Sequence, residues 1–142
     1  MRAAARALPL LLLAAGAAAC ATAPRPPSPF APFLGRWHGT QGETVRARYD
    51  IDERDGRLEA HAAYRVAMPG EPAARSVAGE VGSIRVEGRT LTFTVVYEGG
   101  GERIDGSSAI YDLVAEGDTL RGRGQNLRTS ATFEVRLRRS PR

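Results

Sequence analysis

From Gly35 onward the chain alternates apolar and polar residues with a period of two, and glycine, aspartate or asparagine breaks the alternation at short intervals. Successive side chains of a strand point to opposite faces, so this pattern makes half-buried strands and does not suit an amphipathic helix. In the clearest stretch Val45, Ala47, Tyr49 and Ile51 share one face, and Arg46, Arg48, Asp50 and Asp52 the other. Asp55-Gly56 follows, a two-residue hairpin signal because both residues tolerate positive φ. The next stretch puts Leu58, Ala60, Ala62, Tyr64 and Val66 on the apolar face, and residues 68–75 read as a loop. The phase then switches between Val81 and Ile84, which predicts a bulge at Gly82-Ser83. Leu91, Phe93, Val95 and Tyr97 face inward on the following strand, and 98–106 reads as a flexible loop. Residues 107–115 form another strand. Leu120, Gly122 and Gly124 then share a face, and Ala131, Phe133, Val135 and Leu137 oppose Thr132, Glu134, Arg136 and Arg138.

With residues 35–40 as the first strand, the count is about eight. The connections are tight, so the fold class is all-β: an antiparallel up-and-down meander closed into a small barrel. An open β-sandwich is the alternative. Closure removes the edge strands that would otherwise invite aggregation. A membrane-spanning barrel needs an apolar outer face, and here the outward positions carry arginine, aspartate and glutamate.

The beginning of the chain is of another kind. Arg2 and Arg6 precede an apolar run at 7–15, small residues fill 16–19, and Cys20, the single cysteine, follows. A basic start, a short apolar run and small residues make an export signal, and the run falls short of the roughly 20 residues a transmembrane helix needs. The stretch resembles the bacterial lipoprotein signal, in which a small residue precedes a cysteine that is acylated and becomes the new N-terminus. That resemblance implies a membrane anchor at Cys20 and, since Ala21 stands where a retaining Asp would, the outer membrane facing the periplasm. Ala17 stands where that family usually has leucine. The rival is ordinary cleavage after Ala19 or Ala21. A lone cysteine cannot form an internal disulfide in an exported chain, which favours acylation. Residues 1–19 are thus read as signal, 20–32 as an acylated, proline-rich tether in extended polyproline form, and 33–142 as the barrel domain.

About 120 residues remain after the signal, enough for one domain. All twenty basic residues are arginine, and the formal charge is +4. Removing Arg2 and Arg6 leaves about +2, a nearly neutral balance. An arginine excess without lysine fits a coding bias, and an exported chain would rarely meet nucleic acid, so no nucleic-acid partner is expected.

Gly35-Arg36-Trp37 resembles the Gly-x-Trp of the first strand in lipocalin-like (calycin-type) barrels. The resemblance implies that Trp37 plugs the closed end and that an arginine of the last strand, Arg136 or Arg138, packs over its ring. The Thr-Asp-Tyr signature of true lipocalins is absent, and no ligand is carried over. The inward small residues Ala47, Ala60, Ala62, Gly79, Gly122 and Gly124 open a cavity beside Tyr49, Tyr64, Phe93, Tyr97 and Phe133, or else let a flattened barrel bring its walls together. The five aromatics are the candidate ligand-binding residues.

Motifs of chemistry are weak. Residues 50–56 lack the fifth-position oxygen and the twelfth-position glutamate of a calcium loop. His38 and His61 are too few ligands for zinc. Ser107 and Ser108 have no linked base, and 98–101 lacks the Gly-Lys-Ser/Thr of a phosphate loop. No catalytic residues, metal or cofactor are expected. The expected function is a lipid-anchored periplasmic module that sequesters or carries a small apolar or amphipathic molecule. The alternative is a protein-binding module, such as a hydrolase inhibitor or envelope assembly factor, presenting the loop at 98–106 to an envelope protein partner.

Overall fold

The structure is a computed structural model that describes residues 23–141. Cys20 and the signal lie outside the described residues. A short 3-10 turn, Ala31–Phe33, leads into eight strands: β1 Gly35–Gln41, β2 Val45–Arg54, β3 Arg57–Val66, β4 Arg75–Glu87, β5 Thr90–Glu98, β6 Ser108–Glu116, β7 Thr119–Asn126 and β8 Thr132–Arg139. Each strand pairs antiparallel with the next, and β8 pairs back onto β1, so the meander closes into a barrel. The all-β barrel expected from the sequence is the fold observed, and closure rules out the open sandwich.

Local chemistry sets the turns. Asp55 (φ 52°) and Gly56 (φ 72°) make the two-residue β2–β3 hairpin, whose mirror-type turn matches strand twist. The expected bulge appears in β4, where the register with β5 shifts between Gly82 and Arg85 and Ser83 takes φ 51°. Inward glycines at two places allow the sheet to turn a corner. A methyl at Gly39 would lie 1.9 Å from the Arg136 carbonyl oxygen, and one at Gly122 would lie 1.8 Å from that of Asp112. No side chain fits there, so the neighbouring strands fold in against each other.

The barrel has two unlike ends. Three tight hairpins, β2–β3, β4–β5 and β6–β7, stand at one end beside the 3-10 turn. Four connections, residues 42–44, 67–74, 99–107 and 127–131, surround the other. Ala131 belongs to the last of these and is exposed, one residue before its strand begins.

Candidate functional site

The first end is sealed. Phe33 and Trp37 have 0% exposure, and the Trp37 indole N–H donates to the Phe33 carbonyl at 2.7 Å. A guanidinium lies 4.4 Å from the Trp37 ring centroid, and it belongs to Arg139. Arg136 and Arg138 are exposed on the outer face, so the expectation that one of them covers Trp37 is corrected. The reason is parity: Val135 and Leu137 point inward on β8, so 139 shares their face while 136 and 138 oppose it. Arg139 also donates to the carbonyls of Pro32 and Leu34 and pairs with Asp118 at 3.1 Å. One planar cation thereby ties the 3-10 turn, β1, the β6–β7 hairpin and β8 together.

The middle is packed with aromatic rings. Tyr49, Tyr64, Phe93, Tyr97 and Phe133 belong to one cluster, joined by Tyr111. Tyr111 stacks on Phe93 at 4.8 Å and meets Phe133 edge-on at 5.6 Å. The small inward residues make room for these rings rather than for a void. A methyl on Gly79 would meet Tyr64 and Val95 at 2.7 Å, and one on Gly124 would meet the Phe133 ring at 2.3 Å. Large rings lie over small residues, which is how a narrow barrel reaches interior density. A cavity through the barrel's middle, one of the two expectations, is thus replaced by a filled core.

The polar ends of the rings satisfy one another. The Tyr49 hydroxyl donates to Gln41 Oε1 and lies 2.9 Å from the Tyr64 hydroxyl, while the hydroxyls of Tyr97 and Tyr111 bond to each other. Among the described residues no buried side-chain polar atom lacks a partner. Burial pushes all four hydroxyls well above the ordinary tyrosine range, because a phenolate would lose its water there.

Above this floor the mouth opens into a cavity of about 320 Å³. Its lower wall is Tyr64, Tyr97 and Phe133, and its sides are Val45, Val66, Val77 and Ile104. Gln41, Ser107 and Asn126 add polar groups, and Arg103 stands exposed at the rim. Three of the five expected ligand-binding aromatics therefore line the pocket. Tyr49 and Phe93 do not line it and border instead a residual void of about 10 Å³. They are packed residues that support the floor, which corrects their placement on the cavity wall. Gln41 and Tyr111 were missed. Both follow from parity: Gln41 continues the inward series from Trp37, and Tyr111 stands between Ala109 and Leu113.

The β5–β6 connection at 99–107, which overlaps the flexible loop expected at 98–106, is braced. Gly100 N–H donates to Asp105 Oδ1 at 2.8 Å, Arg75 donates to the Gly100 carbonyl at 2.6 Å, and Ile104 N–H reaches the Gly101 carbonyl at 2.9 Å. The Ser107 hydroxyl is committed to the Ile104 carbonyl. His38 Nδ1 lies 2.9 Å from the Ser140 hydroxyl, and His61 is exposed on the β3 outer face. No group of three or more His, Cys, Asp or Glu able to hold a metal occurs among the described residues. None of their helices is long and apolar enough to cross a membrane.

A closed up-and-down barrel with one sealed end and one open, partly apolar end is consistent with the calycin-like class. No protein-family model, curated protein or solved structure matches the chain.

Proposed function

We propose that the protein is a lipid-anchored periplasmic binding module, a lipocalin-like barrel that sequesters or carries a small apolar or amphipathic molecule at its mouth. The observation that carries this reading is the 320 Å³ cavity, with valine and aromatic walls and a few polar groups. That volume stands at the small end of ligand pockets, about 300–1,000 Å³. It suits a short acyl chain or a compact ring system, with a polar head toward Gln41, Asn126 and the rim. Support for the anchor and for an outer-membrane location facing the periplasm is the arrangement of residues 1–21. The reading is of a binding protein, with no catalytic role assigned to any residue. The braced loop at 99–107 favours a second reading, an envelope protein partner that receives this loop in a cleft.

Native mass spectrometry of the protein from its own periplasm, freed of lipid, tests the choice. An excess mass that disappears on denaturation is expected and would identify the ligand class. A bare mass would overturn the carrier reading and leave crosslinking to find a protein partner.

A further inference from the structure

Closure of the barrel makes one surface from residues distant in sequence. On the outer face, register places Arg65 opposite Arg46, Arg46 opposite Thr40, Thr40 opposite Arg136, and Arg136 opposite Arg121. A second row, one step toward the plugged end, sets His38 between Arg48 and Arg138. Two arginine pairs therefore face each other directly across neighbouring strands, an arrangement that destabilises a sheet.

Carboxylates do little to relieve it. Arg136 pairs with Glu134 at 3.0 Å, and Arg48 stands 3.5 Å from Asp50, which Arg36 already holds at 2.8 Å. Arg46, Arg65, Arg121 and Arg138 have no carboxylate partner among the described residues. Exposed acidic residues stand on both sides, Asp52, Glu53, Glu59 and Glu134 on β2, β3 and β8 and Glu80, Glu98, Asp112 and Glu116 on β4, β5 and β6, whereas the arginines gather on the first side. The barrel is thus polarised around its circumference by its arginines, although the balance after the signal is only about +2.

We propose that the face built from β3, β2, β1, β8 and β7 docks on an anionic lipid bilayer, with lipid phosphates seated between the aligned guanidinium groups. Arginine offers a planar fork of donors to phosphate, and seated anions would remove the cross-strand repulsion. A groove floored by Ala63 and Ala78 and rimmed by Arg46, Arg48 and Arg65, with Glu98 on its β5 side, gives such headgroups a place to enter beside three guanidinium groups. A protein partner fits less well. Protein interfaces have an apolar centre depleted of charge, whereas the exposed large apolar residues Val96, Val114 and Leu127 lie on β5, β6 and the β7–β8 loop. The chain also enters β1, the middle strand of this face, from residues 23–34. An N-terminal anchor would therefore draw this face toward the membrane at its plugged edge and leave the mouth opening sideways. The proposal extends the anchored reading and does not depend on the pocket.

The test is cosedimentation of the chain from residue 23 onward, which contains all eight strands and both barrel ends. Vesicles of phosphatidylcholine, with or without phosphatidylglycerol, are the probe. Binding is expected only with phosphatidylglycerol and is expected to weaken as salt screens the charges. Each arginine near an anionic surface is worth roughly a fivefold partition. Arg46→Glu with Arg136→Glu should therefore reduce binding at least about tenfold. Arg85→Glu with Arg89→Glu, an equal charge change on the β4–β5 side, should leave it nearly unchanged. Circular dichroism confirms that both variants are folded. Equal loss in the two variants, or no preference for anionic vesicles, overturns the proposal. So does failure to bind vesicles combined with salt-sensitive binding of polyglutamate, which would point to an acidic protein instead. Val66→Phe, which fills the pocket, should keep vesicle binding, so this result and the carrier reading fail separately.

Discussion

The barrel's two ends use similar strand termini to opposite effect. At the plugged end a 3-10 turn from outside the meander crosses the opening, Trp37 fills it, and Arg139 fastens the turn through its carbonyls. At the mouth the connections are longer, yet they form hydrogen bonds with one another around the rim rather than across it: Arg128 reaches the Arg103 and Asp105 carbonyls, and Arg75 reaches Gly100. Loop length therefore does not close a barrel. Closure needs an apolar side chain over the opening and a donor set that ties its backbone down.

The largest break in this comparison should come from Trp37→Ala. Truncating a fully buried large aromatic costs about 3–5 kcal/mol, and here it also leaves the Phe33 carbonyl without its donor. Arg139→Ala should cost less, about 1–3 kcal/mol, because it strands carbonyls that water can partly reach. Urea unfolding at neutral pH measures both. If Trp37→Ala lowered stability by under about 1 kcal/mol, the sealed end would not be where the barrel is fastened.

Alkaline titration sharpens the contrast from the floor of the mouth. All four tyrosines have folded-state values raised above the ordinary value of about 10 by burial. Above that value the unfolded chain loses protons that the folded chain retains. Their contribution to stability is therefore intact below about pH 10 and falls as pH rises beyond it. Tyrosinate absorbance should appear together with the loss of far-ultraviolet circular dichroism, as one transition. A hydroxyl ionising near its ordinary value in a folded barrel would show that water reaches the floor. Tyr97, the least buried of the four and a wall of the cavity, is the residue to expect there.

Much of this architecture is legible in the residues themselves. Strand alternation, the Asp55-Gly56 turn and the phase break at Gly82-Ser83 are local signals, and each reports a local cause. Closure is not local, yet the tight connections of an eight-strand meander, whose edges closure removes, and the Gly-x-Trp of β1 both point to it. Arg139 shares its parity with Leu137 and so faces inward, whereas the family resemblance implies an arginine of the last strand without specifying its face. The inward glycines were legible as small but not as filled. Whether a small residue borders space or a ring depends on which strands bring Tyr64, Tyr111 and Phe133 across the barrel, and the register alone decides that. Tyr49 and Phe93 have the same chemistry as Tyr97 and Phe133. Only their height along the barrel axis separates floor from wall, and a periodicity of two does not encode height.

Height can be tested with one substitution made twice. Val95 has 0% exposure in the packed middle, with Gly79 beside it, while Val66 stands on the cavity wall. Val95→Phe adds a ring where no space exists and should cost about 1–3 kcal/mol, with its neighbours forced from their rotamers. Val66→Phe adds the same atoms to an open pocket and should change stability by no more than about 0.5 kcal/mol. Equal costs would mean that the mouth is as tightly packed as the core and that the cavity does not persist in solution. Unequal costs in the expected order, together with loss of any bound mass from Val66→Phe alone, would separate the side chains that hold the barrel together from those free to meet a ligand.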